Sequence, residues 1–166
     1  MAVRLSKIAL VASIGLLALI IVVNNTTDYN TNFQYVHHVL SMDTIFPDST
    51  LTWRAIRTPA LQHAAYATII ATEATIALLC LVGAARLWQR LTQPGSAFNR
   101  AKAIATYGLT LAFLFWFVGF MVIGGEWYAM WQSPDWNGQP PAFRFIGCVG
   151  LVLIYLSLAD ADLPAA

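Results

Sequence analysis

One glutamate lies near the middle of a long apolar stretch of the sequence. Glu73 is preceded by LQHAAYATIIAT and followed by ATIALLCLVGAA. In a membrane-spanning segment an acid costs about 2.5 kcal/mol or more, and such acids commonly transfer protons, conduct ions or bind ligands. At about 100° per residue, Glu73 shares one helical face with His63, Tyr66, Ile70 and Ala77. Glu73, Tyr66 and His63 are therefore the first candidate site.

Three roles for Glu73 stay open on the sequence alone. It could be a structural group that is protonated, hydrogen-bonded to Tyr107 or another polar residue of a neighbouring helix, or paired with a cation on another subunit. The part-polar face could instead conduct a proton or a cation. It could also line a pocket for a quinone. We favour the structural or intersubunit role, followed by transport and then by ligand binding.

The three histidines of the chain all precede or begin this stretch. His37 or His38, together with Asp43, offers ligand types suitable for a transition metal. No spacing specifies a metal site, so we predict structural histidines and no metal. A haem held by two histidines would need them on separate spanning helices, and only His63 lies in an apolar run.

Catalytic and nucleic-acid-binding functions find no support in the residues. The sequence lacks GxSxG, HExxH and paired-carboxylate arrangements, so no catalytic residue is predicted. The net charge of +1 provides no basic surface for nucleic acid. No cofactor is predicted, and a lipid or a quinone is the bound molecule that the part-polar face would suit.

A second polar and aromatic stretch, GGEWYAMWQSPDWNGQ, runs from Gly124 to Gln139. Its tryptophans have the chemistry of membrane-interface anchors, as does the tryptophan of TLTWR nearer the N-terminus; the four are Trp53, Trp127, Trp131 and Trp136. A carboxylate at a helix C-terminus costs about 0.3–1 kcal/mol against the helix dipole. We therefore expect Glu126 to pair with Arg54 or Arg57, the third cation on this side being Arg144.

The elements that position these residues are predicted to be membrane helices. Of the 166 residues, 58% are hydrophobic and 10% are charged, against roughly 25% charged in soluble domains. Four apolar runs approach the ~20 residues that a spanning helix needs. We predict an all-α, single-domain bundle over 1–166 with helices at about 5–23, 59–87, 103–125 and 143–163. The fourth reaches this length if Asp160 and Asp162 extend to the lipid headgroups.

Residues 24–58 connect the first predicted helix to the second, and residues 126–142 connect the third to the fourth. We predict that both connections lie outside the membrane, and we call them the cap. Apolar residues at helical spacing in NFQYVHHVLSMD, and again around Trp53, predict two short surface helices in its first segment. Because neither has a basic polar face, we expect them to pack on the protein rather than on lipid.

Charge distribution orients the bundle. Basic residues precede the first helix and fill the connection between the second and third, which contains no acid; they are Arg4, Lys7, Arg86, Arg90, Arg100 and Lys102. The positive-inside rule places both segments, and hence both termini, in the cytoplasm. The first run ends without an A-x-A-like site, so we expect it to remain as an uncleaved helix.

The sequence also resembles a known family. NNTTDYNTNFQYVHHVLSMDTIFPDSTLTWRAI, the acid within the second span, and FWFVGFMVIGGEWYAMWQSPDWNGQPPAFR together are similar to a family of predicted small bacterial integral membrane proteins, domain of unknown function 2165. The resemblance covers nearly the whole chain. It implies four helices in a bacterial inner membrane, and it implies no activity, cofactor or catalytic residue.

These observations favour a non-catalytic accessory or structural subunit of a larger bacterial inner-membrane complex, of respiratory or transport type. Small residues recur on the predicted helix surfaces, which allows close packing against other subunits or further copies of the chain. The first alternative is a small oligomeric transporter or proton/ion conduit that uses Glu73. The second is a quinone-linked or redox-linked membrane component. Membrane lipids are expected partners in each case.

Overall fold

The computed structural model describes residues 1–163 and is built from helices. Four segments are long and apolar enough to cross a membrane: Ala2–Thr27, Pro59–Gln89, Gly95–Trp127 and Gln139–Ser157. The α-helices within residues 1–163 are α1 (Ala2–Thr27), α2 (Tyr29–Ser41), α3 (Pro59–Gln89), α4 (Gly95–Ala101), α5 (Ala103–Leu114) and α6 (Gln139–Ser157). A π-helical segment, Phe115–Trp127, continues α5, and single 3-10 turns occur at Thr50–Arg54 and Met130–Gln132. This architecture confirms the predicted all-α membrane bundle.

Helix α3 is the centre of the bundle, because α1 packs along it and α5 packs beside it. Glycines permit these close approaches. A Cβ atom on Gly83 would lie 2.6 Å from the Ala105 nitrogen, and one on Gly108 would lie 2.8 Å from the Cys80 sulfur. Both distances are too short for a real side chain. The helices therefore associate by close packing, which is the main source of attraction between helices in lipid.

The first and third spanning helices extend beyond their predicted ends. α1 continues to Thr27, where the hydroxyl donates to the Val23 carbonyl at 2.7 Å. The third spanning helix does not end at Gly125. It widens into the π-helical segment, and the Tyr128 amide donates to the Ile123 carbonyl at 3.0 Å. Hydrogen bonds between polar groups thus continue these helices beyond their apolar residues. The number of apolar residues alone therefore underestimates the helix length.

The fourth spanning helix is displaced from its prediction at both ends. It begins at Gln139 and ends at Ser157 rather than reaching residue 163. Its C-terminal continuation turns away because the Leu158 carbonyl accepts hydrogen bonds from Lys7 and Lys102. The residues after the helix therefore cover the end of the bundle where α1 begins and α3 ends, which we call the terminal end.

The cap packs against the opposite end of the bundle. Its first predicted surface helix is α2, whereas the second is only the five-residue turn Thr50–Arg54, started by the Ser49 hydroxyl. A buried cluster joins α2 to α3 and to the second cap segment; its members are Phe33, Val36, Leu40, Met42, Tyr66, Tyr128 and Ala129. α2 thus buries its apolar face on the protein.

Candidate functional site

Glu73 lies inside the bundle and is held by α1. Glu73 is only 4% exposed, and its Oε2 accepts a hydrogen bond from Asn25 Nδ2 at 2.7 Å. α1 brings this amide into reach because it continues past Val23. The predicted contact with Tyr107 is wrong, since Tyr107 is 65% exposed and lies outside this network. Within residues 1–163, no cation forms a salt bridge with Glu73.

A column of polar and aromatic groups connects Glu73 to the cap. The Tyr66 hydroxyl donates to the Asn25 backbone carbonyl at 3.0 Å. Tyr29 packs edge-on against Tyr66, with ring centroids 4.8 Å apart, and its hydroxyl is 2.9 Å from His63 Nδ1. The structure thus brings together Glu73, Tyr66 and His63, as the helical spacing predicted. It adds Asn25 and Tyr29, which the sequence reasoning missed.

The column stops at Glu73. Toward the terminal end, the buried positions of α3 that follow Glu73 are all apolar or small; they are Ile76, Ala77, Cys80, Gly83, Ala84 and Leu87. A carboxyl group exchanges protons only with groups within hydrogen-bonding reach. In the part of the chain that the structure describes, the polar contacts of Glu73 therefore lead toward the cap and not toward the terminal end.

A buried glutamine determines which ring nitrogen of the cap histidine His37 carries the proton. Gln62, 1% exposed, uses Nε2 to donate to the Ile56 carbonyl at 2.7 Å, and the same nitrogen lies 3.0 Å from the Ser41 hydroxyl. Its Oε1 must then accept from His37 Nδ1, 2.9 Å away. His37 is accordingly the tautomer protonated at Nδ1. Gln62 sits four residues before Tyr66 on α3, and a polar residue at helical spacing was the available signal.

The other cap histidine in α2 is paired with an acid. His38 Nδ1 lies 2.9 Å from an Asp43 carboxylate oxygen, and its ring stacks on Trp136 with centroids 4.5 Å apart. One potential ligand atom from each of His37, His38 and Asp43 lies within 4.8 Å of the others, so these three could hold a metal ion by distance. Their Nδ1 atoms are already hydrogen-bonded, to Gln62 and to Asp43. These contacts orient both imidazoles through Nδ1, and the structural role of the histidines stays a prediction.

The predicted ion pair of Glu126 does not form. Glu126 is exposed, and in residues 1–163 no salt bridge joins it to Arg54, Arg57 or Arg144. Arg54 instead donates from Nη1 to the Trp127 backbone carbonyl at 3.1 Å, at the end of the π-helical segment. A cation that binds a terminal carbonyl compensates the helix dipole directly. The contact of Arg54 with the Trp127 carbonyl therefore compensates the helix C-terminus without an ion pair between Arg54 and Glu126.

Arg54 also organises two of the predicted interface aromatics. Its guanidinium carbon lies 4.5 Å from the Trp127 ring centroid and 5.2 Å from that of Trp53. Trp53, Trp127 and Trp131 are exposed, as membrane-interface anchors require. Trp136 differs, because it is partly buried between His38 and Tyr35. The arginine thus joins the two cap segments by stacking and a carbonyl contact.

An apolar groove of about 360 Å³ opens beneath the cap, between α2, α3 and the π-helical segment. Its walls include Leu40, Ile69 and Phe120, and some of its few polar groups already contact other side chains. The Tyr35 hydroxyl lies 2.7 Å from the Met130 sulfur. Burial raises the pKa of Tyr35 and that of Tyr128, so both phenols stay protonated at neutral pH. The groove is chemically suited to an apolar chain.

The terminal end contains an ionic cluster that the sequence analysis did not foresee. Lys7 and Lys102 both contact Asp160, at 2.7 and 2.6 Å, with all three side chains less than 10% exposed. Burial acts to raise the pKa of Asp160, but the two lysines outweigh it and hold that pKa below its usual range. Asp160 therefore binds protein rather than reaching the lipid headgroups as predicted.

Arg4 is likewise a structural residue rather than a flanking surface charge. Its guanidinium donates to the carbonyls of Leu91, Gln93 and Ala161 at 2.9, 2.6 and 2.7 Å. The predicted headgroup contact of Asp162 is also replaced, because its carboxylate accepts from the Gly95 amide at 2.6 Å. The start of α1 and the segment after α6 are therefore tied to the connection between α3 and α5.

Comparison with known proteins defines the family. No curated protein and no solved structure matches the chain. A family model described as a predicted small integral membrane protein, DUF2165, matches residues 3–159, which is nearly the whole length. Together with the four membrane-length helices, this match identifies a multi-pass integral membrane protein. The chain belongs to the DUF2165 family of predicted small integral membrane proteins.

Proposed function

We propose that this protein is a non-catalytic subunit of a larger bacterial inner-membrane complex, of respiratory or transport type, with both termini cytoplasmic. One observation carries the proposal. The face of α3 turned away from the bundle consists of small residues that are all exposed over four turns; they are Ala60, Ala64, Ala67, Thr68, Ala71, Ala74 and Thr75. Small residues in such steps mark the surfaces by which membrane helices meet.

The small residues inside the bundle show how this chain uses such positions. Gly15, Gly83 and Gly108 are all filled by a neighbouring helix at less than 3.0 Å from a Cβ atom built there. The small face of α3 has the same chemistry but stays exposed within residues 1–163, because α1 and α5 pack on the buried side. A helix of another subunit is the partner that this face would fit.

The orientation in the proposal rests on the arginines that stay exposed. Arg86, Arg90 and Arg100 remain on the surface of the terminal end, whereas Arg4, Lys7 and Lys102 are buried. Exposed basic residues flanking membrane helices favour the cytoplasmic side. A cysteine-accessibility assay on intact cells, comparing Arg90→Cys with Arg57→Cys at the cap, tests this directly. Labelling of the Arg90 position by a membrane-impermeant reagent would reverse the assignment.

The subunit proposal is tested by copurification. Gentle detergent extraction from the native membrane, followed by mass spectrometry, is expected to recover foreign membrane subunits in a fixed ratio. The double variant Ala64→Leu with Ala71→Leu should lose them, because leucines prevent close helix approach. Ala9→Leu, at an exposed position of α1, is the matched control and should retain them. A homo-oligomer or a monomer from both wild type and variants would refute the proposal.

The second candidate is a proton or ion conduit formed by several copies of the chain and using Glu73. The observation that favours it is the column of hydrogen bonds and one aromatic contact from Glu73 to the cap, whose acid faces a neutral amide rather than a cation. Because the column stops at Glu73, the rest of the path would need another copy. Glu73→Gln should leave assembly intact and abolish flux in proteoliposomes. Glu126→Gln, an exposed acid of the cap, is the control, and unchanged flux in Glu73→Gln would exclude this mechanism.

The third candidate is a quinone-linked or redox-linked membrane component. The apolar groove beneath the cap favours it, since an isoprenoid tail would suit its walls. Solvent extraction of the protein purified from native membranes, followed by ultraviolet–visible spectroscopy, should then yield a quinone. Gly119 lines the groove, and a Cβ atom there meets nothing within 4 Å, so Gly119→Leu should reduce the yield. Gly147→Leu, at an equally open position, should not; an extract without quinone counts against this candidate.

A further inference from the structure

We infer that the terminal end carries a binding site for the phosphate of an anionic phospholipid. The site is a concavity of about 460 Å³ between the last turn of α3 and helix α4. Its lining contains three arginines, one glutamine and two alanines; they are Arg86, Gln89, Arg90, Ala97, Arg100 and Ala101. This assignment is independent of the subunit proposal and of any role for Glu73.

The three arginines are the basic residues of the terminal end that take no part in its buried ionic and carbonyl contacts. Lys7 and Lys102 both pair with Asp160, and the Arg4 guanidinium donates to three backbone carbonyls. Arg86, Arg90 and Arg100 form no salt bridge within residues 1–163. Three like charges thus line one concavity, while the two acids of this end are already bound, Asp160 by the lysines and Asp162 by the Gly95 amide. An external anion would offset the repulsion among the arginines.

The positions of the arginines suit a phosphate. Arg86 and Arg90 lie one turn apart on α3, so they share a helix face, and Arg100 approaches from α4. Guanidinium groups present paired donors that match phosphate oxygens. The alanines leave the space between the two helices open. A planar fork from each helix can therefore contact a single phosphate.

The depth of the site favours a lipid over a soluble phosphate. Trp88, next to Gln89, is 61% exposed, which is typical of the membrane interface. Val82 and Leu78, one and two turns before Arg86 on α3, are also exposed, so acyl chains would continue along an apolar surface. Basic pockets beside spanning helices commonly bind anionic headgroups. The phosphate site therefore lies at the depth of the membrane interface, next to an apolar surface that suits acyl chains.

The experiment measures lipid binding by native mass spectrometry of the full chain in a neutral detergent. Phosphatidylglycerol, phosphatidylcholine and inorganic phosphate are titrated separately. Wild type should bind one phosphatidylglycerol more tightly than phosphatidylcholine. Arg90→Gln with Arg100→Gln should weaken phosphatidylglycerol binding about thirtyfold, since each basic side chain near an anionic surface contributes about fivefold.

The matched control is Arg57→Gln with Arg144→Gln, which removes the same charge from exposed positions at the cap. It should bind phosphatidylglycerol as wild type does. Equal weakening in the two double variants would overturn the site, because the effect would then follow net charge alone. Equal binding of the two lipids would also overturn it. Displacement of phosphatidylglycerol by millimolar inorganic phosphate would assign the site to a soluble phosphate instead. Unfolding midpoints without lipid confirm that the variants remain folded.

Discussion

The bundle buries two acids in opposite ways, one at the terminal end and one near the middle of α3. At the terminal end, the Asp160 side chain is 5% exposed and contacts two buried lysines at 2.7 and 2.6 Å. On the cap side, Glu73 is 4% exposed and its carboxylate accepts from the neutral amide of Asn25 at 2.7 Å. The first acid is compensated by charge and the second only by a dipole. A carboxylate in an apolar surrounding needs a charge partner to remain ionised at low cost.

This difference separates a structural role from a functional candidate. Asp160 joins α1, the start of α5 and the segment after α6 through its ion pairs. Glu73 has no cationic partner among the described residues. Intramembrane acids of this kind are candidates for function.

Asp160→Asn is expected to have the largest effect. It leaves the lysines at positions 7 and 102 buried without a counter-charge, which typically costs about 3–5 kcal/mol. The unfolding midpoint in detergent should fall by many degrees. Asp162→Asn is the control, because within residues 1–163 the Asp162 carboxylate accepts from the Gly95 amide and forms no salt bridge. Similar midpoints for the two variants would mean that the ion pairs contribute little.

Acidification should weaken the terminal end in wild type. The pKa of Asp160 is lowered in the folded state, against about 3.9 for an unperturbed aspartate. A lowered folded-state pKa gives stability that is fully present above the unfolded value and is lost as pH falls through the folded one. Unfolding midpoints measured from pH 6 to about pH 2 should decline in wild type. The decline should be smaller in Asp160→Asn, and an identical decline would contradict the assignment.

Asn25→Leu should have an intermediate effect. It leaves the buried Glu73 carboxyl without its donor, which costs about 1–3 kcal/mol. Asn24→Leu is the matched control, since the Asn24 side chain is exposed one residue earlier on α1. Combining Asn25→Leu with Glu73→Leu should recover part of the lost stability. If the double variant is as unstable as the sum of the two single ones, the hydrogen bond is not the link between them.

Arg54→Lys should have the smallest effect. The charge is kept, but the planar group between Trp53 and Trp127 is lost, and such contacts contribute about 0.5–1 kcal/mol at exposed sites. Tryptophan emission should shift with little change in unfolding midpoint. Arg57→Lys is the control at an exposed position of the same segment. A shift of equal size in Arg57→Lys would remove Arg54 from its organising role.

Much of the architecture was predictable because the bilayer imposes it. Runs of apolar residues long enough to cross the hydrocarbon must be helical to satisfy their backbone groups, so four spans followed from composition and length. The face shared by His63, Tyr66 and Glu73 was also predictable, since 100° per residue holds along any straight helix. The helix ends were less predictable. Asn25 was counted as connection because it is polar, yet it forms a hydrogen bond from inside α1.

The polar partners were the part that sequence could not supply. Glu126 and Arg54 were expected to meet because both carry charge on the same side, but Arg54 found a helix-terminal carbonyl and two indole rings instead. Lys7 and Lys102 were expected to be basic residues of the cytoplasmic side, and Asp160 was expected to extend toward the lipid headgroups. Both lysines pair with Asp160 instead, Lys7 from a position 153 residues earlier in the chain. Charge alone identifies many acceptable partners, and only proximity selects among them.

The sequence by itself determined the class of this protein: a multi-pass helical membrane protein with one acid within a span and basic residues gathered at one end. Length and hydrophobicity decide these features locally, residue by residue. Helix packing selected which polar groups meet: Asn25 with Glu73, the lysines with Asp160, and, within residues 1–163, three arginines that form no salt bridge. Those choices depend on how the helices rotate and cross, and the side chains of several segments set that packing together.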